Sequence, residues 1–173
     1  MKLHLLRQTN CLVIYYDSGN DWLFLDWHGE ITLQKAKDAC VALAHCYLHR
    51  PYPRVLNSNA QLESVSWSVA TWLVTDFLPH MSLAGVEHVA WICSPTLRGR
   101  HMMQTVINWL PGFILNTFHD MEGAVDWLQH TRLAHPQGYI IPQRSPTMQA
   151  KLAQVVQDLS QRAAATRPQL KHA

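Results

Sequence analysis

The side chains best able to hold or transfer a group gather in one stretch, Arg54-Val55-Leu56-Asn57-Ser58-Asn59 followed by Ser64-Val65-Ser66-Trp67-Ser68. The first part reads as a short buried strand, Arg54 to Asn57, ending in side-chain amides and a hydroxyl. The second reads as a serine-rich loop opening a helix, whose first N–H groups lack intrahelical acceptors. Polar groups and free helix donors would then share one edge of a sheet, which is where a βα protein binds ligands or partners. Asn57, Ser58, Asn59, Ser64, Ser66, Trp67 and Ser68 are the resulting candidates for partner contact or phosphorylation. Phosphate on Ser66 or Ser68 would sit in the first helical turn, meeting N–H donors but lowering affinity for an acidic or apolar partner surface. Trp67, beside these serines, can act as a partner-binding anchor.

A second set of polar residues belongs at the same edge if successive strands run parallel: His28 and Glu30, Ser94, then His119 and Asp120. A hydrolase would pair Ser58 or Ser94 with His28 or His119 and use Glu30 or Asp120 as orienter. The nucleophile elbow GxSxG is absent, and a Ser/His pair drawn from eleven histidines is expected by chance. Ser94, Asp120, Ser66 and Ser68 have the simpler role of helix caps. His45 and His49 stand four apart on a helix near Cys46, a spacing two metal ligands would use, but no further ligand completes a closed site and a solvated face is the reading taken. Arg98, Arg100 and His101 open another helix, where positive charge is disfavoured by the dipole, so they read as ordinary solvated residues or as contacts for an acidic partner or anion. No cofactor and no metal follow from these patterns.

The elements that must position these residues are legible from periodicity. Leu12 to Tyr16 and Trp22 to Trp27 flank the turn chemistry of Ser18-Gly19-Asn20-Asp21 and make a hairpin. From the cap Thr32, a helical stripe runs through Leu33, Ala36, Cys40, Leu43, Ala44, Tyr47 and Leu48 to Pro51. After the Arg54 strand, a helix is expected from Ser66 to about Met81, with Pro79 kinking or ending it. Glu87 to Cys93 is a strand, Ser94-Pro95 opens a helix with Met103, Val106, Ile107 and Leu110 on one face, and Phe113 to Phe118 is the last strand. Asp120 caps a short helix. A proline-containing linker follows Thr131, and Ser145-Pro146 opens an amphipathic helix with Met148, Leu152, Val155, Val156 and Leu159 as its stripe. The class is α/β with order β-β-α-β-α-β-α-β-α and an extra C-terminal amphipathic helix: residues 1–131 form the domain, 132–173 the linker and helix. That helix is expected to fold back over an uncovered sheet face or to make a homodimer through residues 146–164.

Around the second helix, the pattern Trp67-Ser68, Ala70, Trp72, Asp76-Phe77, Pro79, Met81, Ala84-Gly85 resembles a group of small bacterial proteins of uncharacterised function related to STAS domains, the fold of anti-sigma-factor antagonists. Tyr16-Asp17, Asp26-Trp27-His28-Gly29, Val55-Leu56-Asn57, Trp91, Ser94-Pro95 and Leu110-Pro111-Gly112 fit the same pattern, over about residues 11–130. The resemblance implies a mixed sheet with an N-terminal hairpin and parallel strands, and a protein that works by binding another protein. In the best-understood relatives, a serine at the start of the helix after the third strand is phosphorylated to switch partner affinity. The corresponding region here is Ser64 to Ser68, without the Asp-Ser-Ser-Gly type sequence of those antagonists. A more distant likeness in fold is to Sec14-like lipid carriers.

Composition bounds the remaining classes. The 173 residues suit one domain with an appendage, and 48% hydrophobic content with seven Trp supplies a core. A net charge of +2 without a dense Lys/Arg run argues against nucleic acid and anionic membranes as partners. Four scattered cysteines without CxxC spacing suit a reducing compartment, and neither a signal-peptide run nor a membrane span is present, so a cytoplasmic location is expected. The expectation is a non-enzymatic STAS-like interaction or regulatory module; the alternatives are a small-ligand or lipid-binding (Sec14-like) carrier and, behind it, a hydrolase.

Overall fold

Alternating burial along the strands divides the apolar residues between two faces of one sheet, and helices cover each. The structure, a computed structural model, describes residues 1–81, 83–94, 112–133 and 144–166. The elements are β1 (Leu3–Gln8), β2 (Leu12–Asp17), β3 (Trp22–Ile31), α1 (Leu33–His49), β4 (Arg54–Val65), α2 (Trp67–Trp72), β5 (His88–Ile92), β6 (Ile114–Phe118), α3 (Met121–His130) and α4 (Pro146–Ala165). Among the described residues the six strands lie in sequence order in one sheet, β1-β2-β3 antiparallel and β3-β4-β5-β6 parallel. This is the mixed α/β sheet expected, with one strand more at the N-terminal edge. β1 escapes periodicity because all six of its residues are exposed. It is held by β2 and by the turn, where Asp17 accepts from the Lys2 N–H at 2.8 Å.

The β2–β3 hairpin is built around buried Asp17, which also accepts from the Gly19 N–H (3.0 Å) and the Asn20 amide (2.7 Å). Asp21, at φ +56°, joins Tyr16 (2.8 Å) and Arg50 (2.6 Å), whose guanidinium lies 4.8 Å from the Tyr16 and Tyr52 ring centres. α1 starts at Thr32, whose hydroxyl accepts from Lys35 N, as its sequence position suggests.

Two expected elements have different bounds. The strand placed at Arg54 to Asn57 runs twelve residues, to Val65. The helix placed from Ser66 to Met81 is α-helical only to Trp72, continues as a wide π turn over Leu73–Phe77 and ends in a 3-10 turn, Leu78–His80, that contains Pro79. Proline removes a donor and ends the regular ladder, as anticipated. The helix expected after Ser94-Pro95, with Arg98, Arg100 and His101, lies outside the described residues, as does the linker over 134–143.

On one face, Leu23, Leu25, Val55 and Val89 pack beneath α1 and the α2 turn. On the other, Trp22, Phe24, Leu56, Ala90 and Ile92 pack with Ala124 and Leu128 of α3, which Asp120 caps through Gly123 N at 2.8 Å. α4 does not cover that second face. Its buried residues, Leu152, Val156, Leu159 and Ala163, lie against α1, and polar ties fix it there: Gln34 to Ala163 O (3.1 Å), Gln149 to Leu48 O (3.1 Å) and Arg162 to Asp76 (3.0 Å). Arg144 donates to Tyr47 O (2.5 Å) and Ala84 O (2.6 Å). Of the stripe offered for a homodimer through residues 146–164, Leu152, Val156 and Leu159 are buried within the chain itself, Val155 is half-buried and Met148 is exposed. The second sheet face needs no such cover over β3 to β5, because α3 already occupies it.

Candidate functional site

The single polar edge expected over Asn57 to Ser68 divides into three places, because β4 passes through it as a strand. The β3–β4 register slips between Asp26 and His28 and again between Gly29 and Glu30, so β4 spends one extra residue at each slip. Each extra residue exchanges the two faces of β4 beyond it. Buried positions on the helix-covered face therefore step Val55, Asn57, Asn59, then Leu62 and Val65, opposite an uninterrupted Leu23, Leu25, Trp27, Ile31 series on β3.

Asn57 and Asn59 are the first place, only 4% and 6% exposed. The Trp27 indole Nε1 donates to Asn57 Oδ1 at 2.9 Å, and Asn57 Nδ2 donates to Asn59 Oδ1 at 3.4 Å. These bonds set which atom of each amide accepts, and leave Asn59 Nδ2 a donor without a partner among the described residues. The pair lines a cavity of about 70 Å³ between the sheet, α1 and α2, whose other walls include Leu43, Leu62, Val69 and Phe77, with Trp91 across from Asn57 on β5. Trp91 Nε1 is buried and has no hydrogen-bond partner.

Ser58 is in the second place, on the opposite face beside Asp26. It is 2% exposed and its Oγ accepts from Ala60 N at 3.4 Å, so it is not presented as a nucleophile. Burial raises the Asp26 carboxyl above its ordinary value, while His28 and the Ser58 hydroxyl pull it down. His28 is thus near Asp26. Glu30 is exposed on β3, and its carbonyl accepts from Lys35 Nζ at 3.0 Å. His119 is exposed between β6 and α3, Ser94 is buried after β5, and Arg98 is outside the described residues.

The third place is the start of α2. Ser64 is an exposed strand residue and Ser66 occupies the cap position, yet its hydroxyl makes no capping bond. Instead, Ser66 Oγ and Ser68 Oγ lie 2.9 Å apart, both exposed. Between them Trp67 is 55% exposed, whereas the other described tryptophans are buried or half-buried. Ser64, Ser66, Trp67 and Ser68 are thereby assembled on one surface, and Asn57, Ser58 and Asn59 are not part of it.

Two residues of the cavity were not singled out as functional by their types. Trp27 and Trp91 read as core positions because inward strand spacing is what a core tryptophan shows. The available signal was pairing: a buried indole needs an acceptor, and an Asn two positions beyond an apolar Val on the next strand can provide one.

No family profile and no curated protein matches the chain. Among solved structures it is similar to an uncharacterised protein of the DUF3478 family with a SpoIIAA-like fold from Shewanella loihica PV-4, at 18% identity over 73% of this chain and 91% of that one, with TM-score 0.47. It is also similar to the anti-sigma factor antagonist SpoIIAA in its unphosphorylated form, at 12% identity over 76% of this chain and 99% of that one, again with TM-score 0.47. At these identities neither likeness assigns a role to a residue of this chain.

Proposed function

We propose that the chain is a non-enzymatic interaction module of the bacterial cytoplasm, docking a partner protein through the start of α2 and regulated by phosphorylation at Ser64, Ser66 or Ser68. The observation that carries this reading is Trp67, a large aromatic side chain left 55% exposed between two hydroxyls that cap nothing. A tryptophan in that position costs solubility unless it is covered by a partner, and aromatic anchors of this kind dominate interface energies. A phosphate on Ser66 or Ser68 would put about −1.5 to −2 charges at the rim of that contact, repelling an acidic partner and adding a desolvation cost against an apolar one. The free thiols of Cys11, Cys40 and Cys46, all buried, accord with a reducing compartment. No helix among the described residues is long and apolar enough to cross a membrane. Residues 132–173 serve in this reading as an appendage that completes the packing of α1.

The test is quantitative co-purification of tagged chain from its bacterial host, comparing wild type, Trp67→Ala, Ser66→Asp with Ser68→Asp, and Ser66→Ala with Ser68→Ala. A specific protein that is retained by wild type and the alanine pair, and lost from Trp67→Ala and the aspartate pair, supports the reading. Equal recovery across all four variants contradicts it.

A further inference from the structure

The amides of Asn57 and Asn59 pose a problem the interaction surface does not address: they are buried in a cavity whose walls are otherwise apolar or aromatic. Buried polar groups are ordinarily satisfied, and here the accounting is uneven. Each amide oxygen already accepts one bond, Asn57 Oδ1 from the Trp27 indole and Asn59 Oδ1 from Asn57 Nδ2. Two donors remain. Asn59 Nδ2 has no partner among the described residues, and Trp91 Nε1, on the same cavity wall, is buried without one. The hydrogen-bond chain from Trp27 through Asn57 to Asn59 therefore ends in an amide N–H group that lines the cavity, Trp91 Nε1 is a second unpartnered donor in the same lining, and among the described lining residues unused donors outnumber the amide oxygens, each of which already accepts one bond.

We propose that this cavity is a binding site for a small apolar molecule that carries one carbonyl oxygen, which would accept from Asn59 Nδ2 and Trp91 Nε1 while its hydrocarbon part fills the space among Leu43, Leu62, Val69 and Phe77. An alcohol or amine would add a further donor to a lining that already holds unused N–H groups, with only the second lone pair of an amide oxygen left to receive it. A carboxylate would be buried without a cationic partner among the described lining residues, a costly arrangement. Size narrows the class further. At ~10–15 Å³ for each water-sized site, about 70 Å³ gives room for roughly five to seven non-hydrogen atoms, which suits a short ketone, aldehyde or ester and is too little for a lipid acyl chain. The site shares no residue with the Trp67 surface, so either can fail alone.

Nitrogen–proton correlation spectra of the full chain test the proposal with two probes of one shape: cyclohexanone, and methylenecyclohexane, in which a CH₂ group replaces the oxygen. The Trp91 indole signal is assigned from its disappearance in Trp91→Phe. Cyclohexanone should produce a saturable downfield shift of the Trp91 indole N–H and the Asn59 side-chain amide, with methylenecyclohexane binding up to about tenfold more weakly, the worth of one hydrogen bond, and giving no downfield shift of these groups. Val69→Trp, which fills the cavity, should abolish the ketone response. If that variant does not fold, the two probes on wild type still decide. No saturable shift with the ketone, equal shifts with both probes, or a ketone response that survives in folded Val69→Trp would each overturn the proposal.

Discussion

Asn57 shows how a polar residue can belong to a core. Its neighbours Ser58 and Asn59 make the local sequence look like the end of a strand, and that is how it reads without its partner. The partner is Trp27, thirty residues earlier, whose indole N–H needs the Asn57 oxygen (2.9 Å). Nothing local announces a bond between strands, so the polar pair was legible as functional material but not as buried structure. Asn57→Ala should leave the indole donor unsatisfied and cost about 1–3 kcal/mol, read as a lower urea midpoint with unchanged slope; a midpoint like wild type would contradict the bond's role. Asp17 makes a separate prediction. Burial pushes its carboxyl upward, but hydrogen bonds from Asn20, the Lys2 and Gly19 N–H groups and the N-terminal charge outweigh that and hold it below the ordinary 3.8. A depressed folded value means the stabilisation is complete above the ordinary value and is lost as pH falls through the folded one. Asp17→Asn should be less stable than wild type at about pH 7, with the gap closing as thermal melts move down toward about pH 2. A gap independent of pH would contradict this.

At the scale of elements, the hairpin, α1 with its Thr32 cap, the parallel order of the strands, α3 behind Asp120 and α4 behind Ser145 could all be read from periodicity and capping residues. What could not be read is the register of β4. The two slips against β3 break the two-residue alternation, spacing the last buried positions three apart at Asn59, Leu62 and Val65, a pattern that reads as loop. Because β4 continues as a strand to Val65, Asn57 and Ser64 do not share an edge: one is in a cavity and the other on the surface. Gly29 sits at the second slip with φ +69° and open space around its α-carbon. Gly29→Ala therefore tests backbone conformation alone and should cost about 1–2 kcal/mol in chemical denaturation, while a neutral or stabilising result would remove glycine's role in the register.

For the whole molecule, α4 is the element whose place sequence left open between the sheet and a second subunit. Its stripe is short, and a stripe alone does not say which apolar surface receives it. The structure seats it on α1, with Arg144 bridging the Tyr47 and Ala84 carbonyls at its near end. Leu152→Ala should then lower stability by about 2–5 kcal/mol at any protein concentration; a loss that depended on concentration would instead indicate a seam between copies. With α4 and α3 covering their faces, the start of α2 is the exposed aromatic feature of the α2 side, and the account of function rests on it. The direct measurement is site-specific photo-crosslinking in the host cell, with a benzophenone side chain replacing Trp67 and, as control, exposed Met148 on α4. One discrete protein adduct is expected from position 67, absent from position 148 and lost when Ser66 and Ser68 are both aspartate; no adduct at 67, or the same adducts from both positions, would contradict docking through the start of α2.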